Sequence, residues 1–346
     1  MSFVKLLLAT VAASIVLSGC GGGSPAASGG APSEVRLGYF ANVTHAPAVL
    51  GVAQGRFQKA LGPVELKPAT FNAGPSIIEA IFAGSLDIAY IGPGPAINGH
   101  VKSEGKAVRI ISGCAANGVA IVARKDSGIA KLSDLAGKKI ATPQFGNTQD
   151  LSAKHYILTE LKARLRSDGG DTEILNIANA EQLSLFKSGQ LDAVWSPEPW
   201  GARAIHEAGG VLIDEEKNLW PGKNFTVAVV LVSTKFLAKY PDTVEAFLRA
   251  HVESIDWINA NRAEAATLVN DEIKKITKAS LKDSVLTDAF ARLQFSTDPF
   301  PETIRTFADW SYQLKIVKTQ PDLTGLLDQK LLQKVLSGRS KEAAPK

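Results

Sequence analysis

The sequence lacks the short motifs that mark common nucleotide, cofactor and metal sites. It has no Gly-x-Gly-x-x-Gly after a predicted strand, no phosphate-binding Gly-x-x-x-x-Gly-Lys-Ser, no Gly-x-Ser-x-Gly elbow and no paired-histidine metal spacing. The five histidines stand apart from one another in the chain. These absences argue against the familiar nucleotide-binding, serine-hydrolase and zinc-enzyme chemistries. We therefore expect no cofactor and no metal.

Cysteine is also scarce, with two residues among 346. Cys20 lies near the N-terminus and Cys114 lies within an apolar run, so no disulfide is expected. A cysteine in such a run usually packs as a small hydrophobic residue. A catalytic thiol at Cys114 would need a histidine, and none lies close in sequence, although one could approach in space.

Charge of one sign is not concentrated anywhere. The formal net charge is +4, with 38 basic and 34 acidic residues and no dense block of either. Because a nucleic-acid binder normally carries a basic patch or stripe, we expect no nucleic-acid partner.

The only N-terminal apolar run is short and follows a lysine. Lys5 and the apolar residues 6–17 form a targeting segment, which is too short to span a bilayer as a mature helix. It ends in Leu17-Ser-Gly-Cys20, which resembles the bacterial lipobox, and this resemblance implies acylation of Cys20; an ordinary signal peptide is the alternative. We predict a lipoprotein signal peptide at 1–20 and a flexible Gly/Ser/Ala/Pro-rich tether at 21–33.

One stretch of the chain occurs twice. Residues 83–95 recur in diverged form at 188–200, so that Gly84, Leu86 and Asp87 correspond to Gly189, Leu191 and Asp192. Each copy predicts a helix with glycine at its exit, a short strand, and a Gly/Pro-rich loop at the strand's carboxyl end. Chance is the alternative, but the same offset also aligns two junctions further upstream.

The repeat predicts two α/β lobes of one βαβ-based design facing each other across a cleft. Ligands of open α/β sheets bind outside the carboxyl ends of the strands. We place the first lobe at 34–118 and 229–340, including a helical C-terminal extension that packs on it, and the second at 119–228. A long helix is predicted at 149–166, and 92–95 and 196–199 are predicted to be stiff loops.

Candidate ligand contacts lie in loops at predicted helix N-termini, where free N–H groups and the helix dipole favour anions. Helix capping alone would also explain Thr44 and Thr148. Aromatic candidates for an apolar wall are Phe71, Trp195 and Trp200, and His45 lies at the cleft end of the first lobe. The neutral donors are Thr44, Asn72, Asn117, Asn147, Thr148 and Gln149.

Glu198 is the unusual member of this set. A carboxylate at the mouth of an anion site repels its ligand unless it faces solvent, accepts N–H groups of the cleft, or meets a cationic group on the ligand. An inward Glu198 would therefore predict a zwitterionic or amine-bearing ligand.

The combination of motifs resembles the substrate-binding lipoproteins of ATP-driven (ABC) importers in the nitrate, aliphatic sulfonate and taurine group. The motifs are Leu17-Ser-Gly-Cys20, Phe71-Asn-Ala-Gly-Pro75, Ala83-Gly-Ser-Leu-Asp-Ile-Ala89, Gly146-Asn-Thr148 and Pro197-Glu-Pro-Trp200. The resemblance implies a two-lobe periplasmic-binding-protein fold (type II) and ligand contacts at Thr44, His45, Phe71, Asn72, Gly92, Pro93, Thr148, Trp195 and Glu198.

It further implies a small anionic or zwitterionic solute, permease and ATPase partners, and no chemistry on the solute. We expect a monomer, anchored through Cys20 at the periplasmic side or the cell surface. A sensory module and an enzyme such as a lyase or dehydratase are the alternatives. Glu198 with His45 is the only titratable pair that the sequence offers the enzyme.

Overall fold

The computed structural model describes residues 30–342, so the predicted targeting segment, Cys20 and most of the predicted tether lie outside the described residues. The described strands are β1 (Glu34–Tyr39), β2 (Glu65–Thr70), β3 (Ile88–Ile91), β4 (Val108–Asn117), β5 (Val119–Ala123), β6 (Lys139–Thr142), β7 (Glu173–Asn176), β8 (Ala193–Pro197), β9 (Val211–Glu215), β10 (Thr226–Ser233) and β11 (Leu293–Phe295).

Helices surround these strands and form most of the C-terminal third. The described α-helices are α1 (Ala46–Ala53), α2 (Arg56–Leu61), α3 (Gly74–Phe82), α4 (Pro93–Lys102), α5 (Thr148–His155), α6 (Asn179–Lys187), α7 (Trp200–Ala208), α8 (Thr234–Lys239), α9 (Pro241–Ala260), α10 (Arg262–Thr277), α11 (Asp283–Arg292), α12 (Pro301–Gln313) and α13 (Lys330–Glu342). None of the helices between residues 30 and 342 is long and apolar enough to cross a membrane.

The strands form two sheets, one in each lobe. The first has the order β11-β4-β10-β3-β1-β2, and the second has the order β7-β6-β8-β5-β9. In the first, β1 runs parallel to β2 and β3, and β10 lies antiparallel between β3 and β4. In the second, β6 runs parallel to β7 and β8, and β5 lies antiparallel between β8 and β9. This confirms the predicted two-lobe α/β fold.

The duplicated stretch performs the same local task in both lobes. Gly84 and Gly189 follow α3 and α6 with φ of 70° and 79°, a left-handed conformation that glycine adopts without steric cost. Asp87 then accepts a hydrogen bond from the Arg36 backbone N–H at 2.9 Å, and Asp192 accepts one from Lys139 N–H at 2.9 Å. Each aspartate thus ties the start of the third strand to the first strand of its own lobe.

Two segments connect the lobes side by side. Asn117 and Gly118, between β4 and β5, have φ of 64° and 66°. Asn117 N–H donates to the Phe225 carbonyl at 2.9 Å, and its side-chain oxygen accepts from Phe225 N–H at 3.3 Å. Asn117 therefore joins the two connections to each other through its backbone N–H and its side-chain oxygen. Two adjacent connections of this kind permit a hinge motion.

The C-terminal helical extension contacts both lobes, whereas the sequence predicted contact with the first lobe only. Helices α9 and α10 pack on α1 and α2 of the first lobe, and α13 packs on α9. Helix α11, however, also contacts α7 of the second lobe, and α12 contacts both α4 and α5. The extension therefore touches both lobes.

Two local predictions were wrong in detail, and the sequence analysis also missed an element. The helix predicted at 149–166 is shorter, because α5 ends at His155 in a π-helical turn over Tyr156–Glu160 and Lys162 then adopts φ of 53°. The first stiff loop is helical from Pro93, since proline fits the first helical turn, where no N–H partner is needed. Strand β9 at the edge of the second sheet was not predicted.

Candidate functional site

A small cavity lies where the carboxyl ends of the parallel strands of both lobes meet. It leaves about 40 Å³ for the centres of water-sized molecules, which is room for a few waters or a small anion. The lining residues are Phe40, Asn42, Thr44, His45, Asn72, Ala73, Gly74, Gly92, Pro95 and Val227 from the first lobe, and Pro143, Asn147, Thr148, Gln149, Asn179 and Pro197 from the second.

Helix N-termini from both lobes converge on this cavity. The first residues of α3, α5 and α6 line it, as do the residues that immediately precede α1 and α4. The N-cap residues of α1, α3, α4 and α6 offer no side-chain cap to the first turn. In α3 and α6 the first-turn N–H groups therefore remain available to a ligand. In α4, by contrast, Pro93 and Pro95 have no N–H and Gly94 N–H donates to Thr148 Oγ1. The helix dipoles give this end a positive potential.

No lining residue carries a formal charge, apart from the titratable His45. The His45 ring stacks on Phe40 with centroids 4.3 Å apart, and its Nδ1 accepts a hydrogen bond from Phe40 N–H at 3.1 Å. Burial lowers the pKa of His45 to about 3. The ring is therefore neutral at physiological pH, and the proton resides on Nε2, which becomes a donor at the cavity wall.

Asn42 and Trp200 connect the lobes beside the cavity. Trp200 Nε1 donates to Asn42 Oδ1 at 3.2 Å. Since that oxygen is engaged, the amide N–H groups of Asn42 are left for the cavity that this residue lines. Trp200 was predicted to contact the ligand, but it does not line the cavity. Its hydrogen bond instead holds Asn42, which does line the cavity.

Glycines of the first lobe allow the second lobe to approach closely. Gly94 N–H donates to Thr148 Oγ1 at 3.3 Å, which leaves the Thr148 hydroxyl proton free to donate elsewhere. A Cβ atom on Gly92 would lie 2.4 Å from the same oxygen. The lobes are thus in contact through Thr148, as expected for a closed conformation.

The loop that carries Thr148 is held by a buried aspartate. Asp150 accepts hydrogen bonds from Gly146 N–H at 2.9 Å and Asn176 Nδ2 at 2.7 Å, and Lys154 pairs with it at 2.8 Å. Asn147 caps α5 by accepting from Asp150 N–H at 2.9 Å. This network fixes the N-terminus of α5 against the cavity.

The structure brings seven of the thirteen predicted contacts together. Those that line the cavity are Thr44, His45, Asn72, Gly92, Asn147, Thr148 and Gln149, and those that do not are Phe71, Pro93, Asn117, Trp195, Glu198 and Trp200. Sequence reasoning missed the contributions of Phe40, Asn42, Gly74, Pro143, Asn179 and Pro197. The asparagines and the Gly/Pro turns beside helix starts were the signal that could have identified several of these residues.

Glu198 does not line the cavity between the lobes. It is fully buried, pairs with Arg292 Nη1 of α11 at 2.8 Å, and accepts from Ala202 N–H at 3.0 Å. Burial raises the pKa of Glu198, against the opposing influence of Arg292. The idea of an inward carboxylate that selects an amine is therefore wrong. The enzyme alternative also loses its pair, because His45 lines the cavity between the lobes and Glu198 does not.

Trp195, which was also predicted to contact a ligand, does not line the cavity between the lobes. Its Nε1 donates to Glu216 Oε2 at 2.6 Å, and its fully buried ring lines a different cavity. Trp195 lies two residues before the carboxyl end of β8, whereas Pro197, the last residue of that strand, does line the site between the lobes.

Two similar α/β lobes, two adjacent connections and a cavity between them define the class of two-lobe binding proteins with the type II periplasmic-binding fold. The alkanesulfonate-binding protein SsuA from Xanthomonas axonopodis pv. citri, solved with MOPS, superposes with a TM-score of 0.72 at 18% identity, over 87% of this chain and 99% of that one. Residues 28–270 match the model of the NMT1-like family, and the chain belongs to that family.

Relatives of known sequence extend this similarity over nearly the whole chain. A putative aliphatic sulfonates-binding protein of Bacillus subtilis (strain 168) is 26% identical over 342 residues, covering 97% of this chain and 98% of that protein. The taurine-binding periplasmic protein of Escherichia coli (strain K12) is 28% identical over 211 residues, covering 60% of this chain and 62% of that protein. The family resemblance predicted from the motifs is confirmed.

Proposed function

We propose that this protein captures a small oxyanion, with an alkyl sulfonate as the best-fitting class, between its two lobes and delivers it to an ABC importer. The observation that carries the proposal is a cavity bounded by five helix N-termini and by no ionised side chain. Neutral donors and helix dipoles can stabilise an anion without a basic residue. The names of the relatives, which refer to aliphatic sulfonates and taurine, support the same class of solute.

The absence of a carboxylate favours a plain sulfonate over a zwitterion. Taurine carries an ammonium group two carbons from its sulfonate, and a buried ammonium needs a counter-charge or acceptors. No aspartate or glutamate lines the cavity, and Glu198 is committed to Arg292. The buried acceptor without a partner among the lining side chains, Asn179 Oδ1, is neutral and supplies no counter-charge. We therefore expect ethanesulfonate to bind more tightly than taurine.

Capture proceeds by hinge closure about the two connections. We propose the division into two lobes that the sequence predicted, with one change. Residues 226–228 belong to the first lobe instead of the second, because β10 pairs with β4 from Thr226 onward. The ligand contacts that we propose are Thr44, His45, Asn72, Gly92, Thr148 and Gln149, together with Asn42. The bound solute favours the closed state to the extent that it contacts both lobes.

Acylation at Cys20 and a monomeric state complete the proposal. The lipobox-like ending supports the anchor, and the Gly/Ser/Ala/Pro-rich composition of residues 21–33 supports a tether between Cys20 and the lobes. Labelling cells with a radioactive fatty acid would test the anchor, since substitution of Cys20 by alanine should abolish incorporation.

The central test is calorimetric titration of the protein with ethanesulfonate, taurine and nitrate. Thr148→Val removes the free hydroxyl while keeping the shape of the side chain. A hydrogen bond to a charged group is worth about 1.5–3 kcal/mol, so affinity for ethanesulfonate should fall roughly 10- to 150-fold.

Thr267→Val on α10 is the matched control. Thr267 is exposed and bonds only the Ala263 carbonyl one turn earlier, so this variant should bind as the wild type does. Failure of every oxyanion to bind, or equal binding by the wild type and Thr148→Val, would refute the proposed site.

A further inference from the structure

A second cavity lies between the second lobe and α12, apart from the site between the lobes. It leaves about 150 Å³ for the centres of water-sized molecules. Three of the five tryptophans of the chain line it: Trp195 from β8, Trp220 from the segment after β9, and Trp310 from α12. His155 and Tyr156 at the end of α5 add two more rings.

These rings surround the space from several directions. Trp310 stacks on His155 with centroids 4.1 Å apart, and Trp220 meets Trp310 with centroids 4.8 Å apart at an interplanar angle of 45°. Tyr156 and Trp195 lie 5.9 Å apart at 49°. The cavity therefore has aromatic walls contributed by four separate parts of the chain.

A buried carboxylate occupies the same cavity. Glu216 is fully buried and accepts hydrogen bonds from Ser152 Oγ at 2.6 Å, Trp195 Nε1 at 2.6 Å and Trp220 Nε1 at 3.2 Å. Neither lysine nor arginine lines the cavity, and the other lining carboxylate, Glu160, is exposed.

Glu216 thus has donors but no counter-charge. Burial raises the pKa of Glu216 to about 7, against the opposing effect of its three hydrogen bonds. Burying a carboxylate is costly unless a cation compensates it. The local arrangement therefore leaves a place for a positive charge from outside the chain.

We propose that this cavity is a second binding site, for a small organic cation of the alkylammonium class. Aromatic rings attract a desolvated cation through their electron-rich faces, and the carboxylate supplies the opposite charge. A metal ion fits less well, because the walls are rings instead of oxygen atoms. Within residues 30–342, no group of three or more His, Cys, Asp or Glu is arranged to hold a metal.

The probe is tetramethylammonium chloride, with tert-butanol as a neutral molecule of similar shape and sodium chloride as the salt control. Tetramethylammonium should bind with one-to-one stoichiometry in calorimetry and raise the melting temperature, and the two controls should do neither. An equal response to tert-butanol would show an unselective apolar cavity, and an equal response to sodium chloride would show an ionic-strength effect. Either result, or no binding of tetramethylammonium at all, overturns the proposal.

Trp310→Leu removes one wall of the cavity and should weaken tetramethylammonium binding roughly tenfold or more. Trp257→Leu is the matched control: Trp257 is also a half-buried helical tryptophan, but it lies under Arg56 and outside the cavity. Equal loss in both variants, or no loss in Trp310→Leu, would contradict the proposal.

The wild type provides a test that needs no substitution. The titratable groups that face Glu216 across the cavity are His155, Tyr156 and Glu160. Burial lowers the pKa of His155 and raises that of Tyr156, so both shifts favour the neutral form of the side chain. Because the cation requires ionised Glu216 with its pKa of about 7, affinity should be about tenfold higher at pH 8 than at pH 6. Affinity that falls or stays constant as the pH rises would exclude Glu216 as the counter-charge.

Failure of this proposal can be told apart from failure of the proposed function. Thr148→Val changes the site between the lobes and should leave tetramethylammonium binding intact. Trp310→Leu should in turn leave the hydrogen-bonding groups for ethanesulfonate in place.

Discussion

Adding one methyl group at Gly92 should selectively oppose closure of the lobes. Gly92 precedes α4 with φ of −71° and ψ of 153°, an extended conformation that alanine adopts without strain. The new Cβ would lie 2.4 Å from Thr148 Oγ1 and 3.5 Å from Thr148 Cβ, both in the opposite lobe. Only the contact with the oxygen is too short.

The size of the effect follows from this overlap. Favourable contacts lie at about 3.5 Å, so the lobes must separate by about 1 Å at this point. Overpacking of this kind typically costs 1–3 kcal/mol. Because the open state does not bear this cost, Gly92→Ala should weaken ethanesulfonate binding roughly 5- to 150-fold.

Calorimetry on a double-mutant cycle measures the effect directly. In Thr148→Ala the offending oxygen is gone, so adding Gly92→Ala to that background should cause little further loss of affinity. Gly338→Ala in α13 is the control, since no atom lies within 4 Å of a Cβ there. Wild-type affinity in Gly92→Ala, or an undiminished loss in the Thr148→Ala background, would refute closure through this contact.

Two further predictions concern buried ionisable groups. Glu198→Gln should lower the melting temperature by roughly 3–12 °C, because a charge-assisted hydrogen bond worth about 1.5–3 kcal/mol is lost. Arg292 keeps its other partner, Asp288, at 3.2 Å in this variant. The control is Glu302→Gln, which changes an exposed ion pair and should leave the melting temperature nearly unchanged. A shift in the preference between taurine and ethanesulfonate in Glu198→Gln would mean that Glu198 meets the ligand after all. The affinity for ethanesulfonate should vary less than about twofold between pH 5 and pH 8, because a pKa of about 3 keeps His45 neutral over that range. If calorimetry instead shows the affinity rising steeply toward pH 5, the protonated His45 ring binds the anion.

The fold could be predicted because its signals are local and occur twice. Gly84 and Gly189 fit the left-handed backbone conformation that follows each helix. Asp87 and Asp192 accept hydrogen bonds from backbone N–H groups of the neighbouring strands. The early end of α5 could not be predicted in the same way. Nothing in its apolar spacing marks His155 as the last α-helical residue, and the ring on which His155 stacks, Trp310, is 155 positions away in sequence.

The site was predictable to the extent that helix starts are visible in the sequence. Thr148 and Asn72 were found because Gly/Pro/Asn turns precede helices at those places. Glu198 was misjudged because its partner Arg292 lies 94 positions further along the chain. Pairings of this length depend on tertiary packing, and residue type alone does not show whether a carboxylate meets solvent, a ligand or an arginine.

The contact of α12 with both lobes has a consequence for how far the protein can open. Helix α12 packs on α4 on one side and on α5 on the other, so the halves cannot separate fully while both contacts persist. A wide excursion would expose the rings of Phe307 and Trp310, and the apolar surface lost from packing would oppose it. Solute exchange should therefore occur through a narrow gap, which suits ions of a few atoms better than bulky molecules.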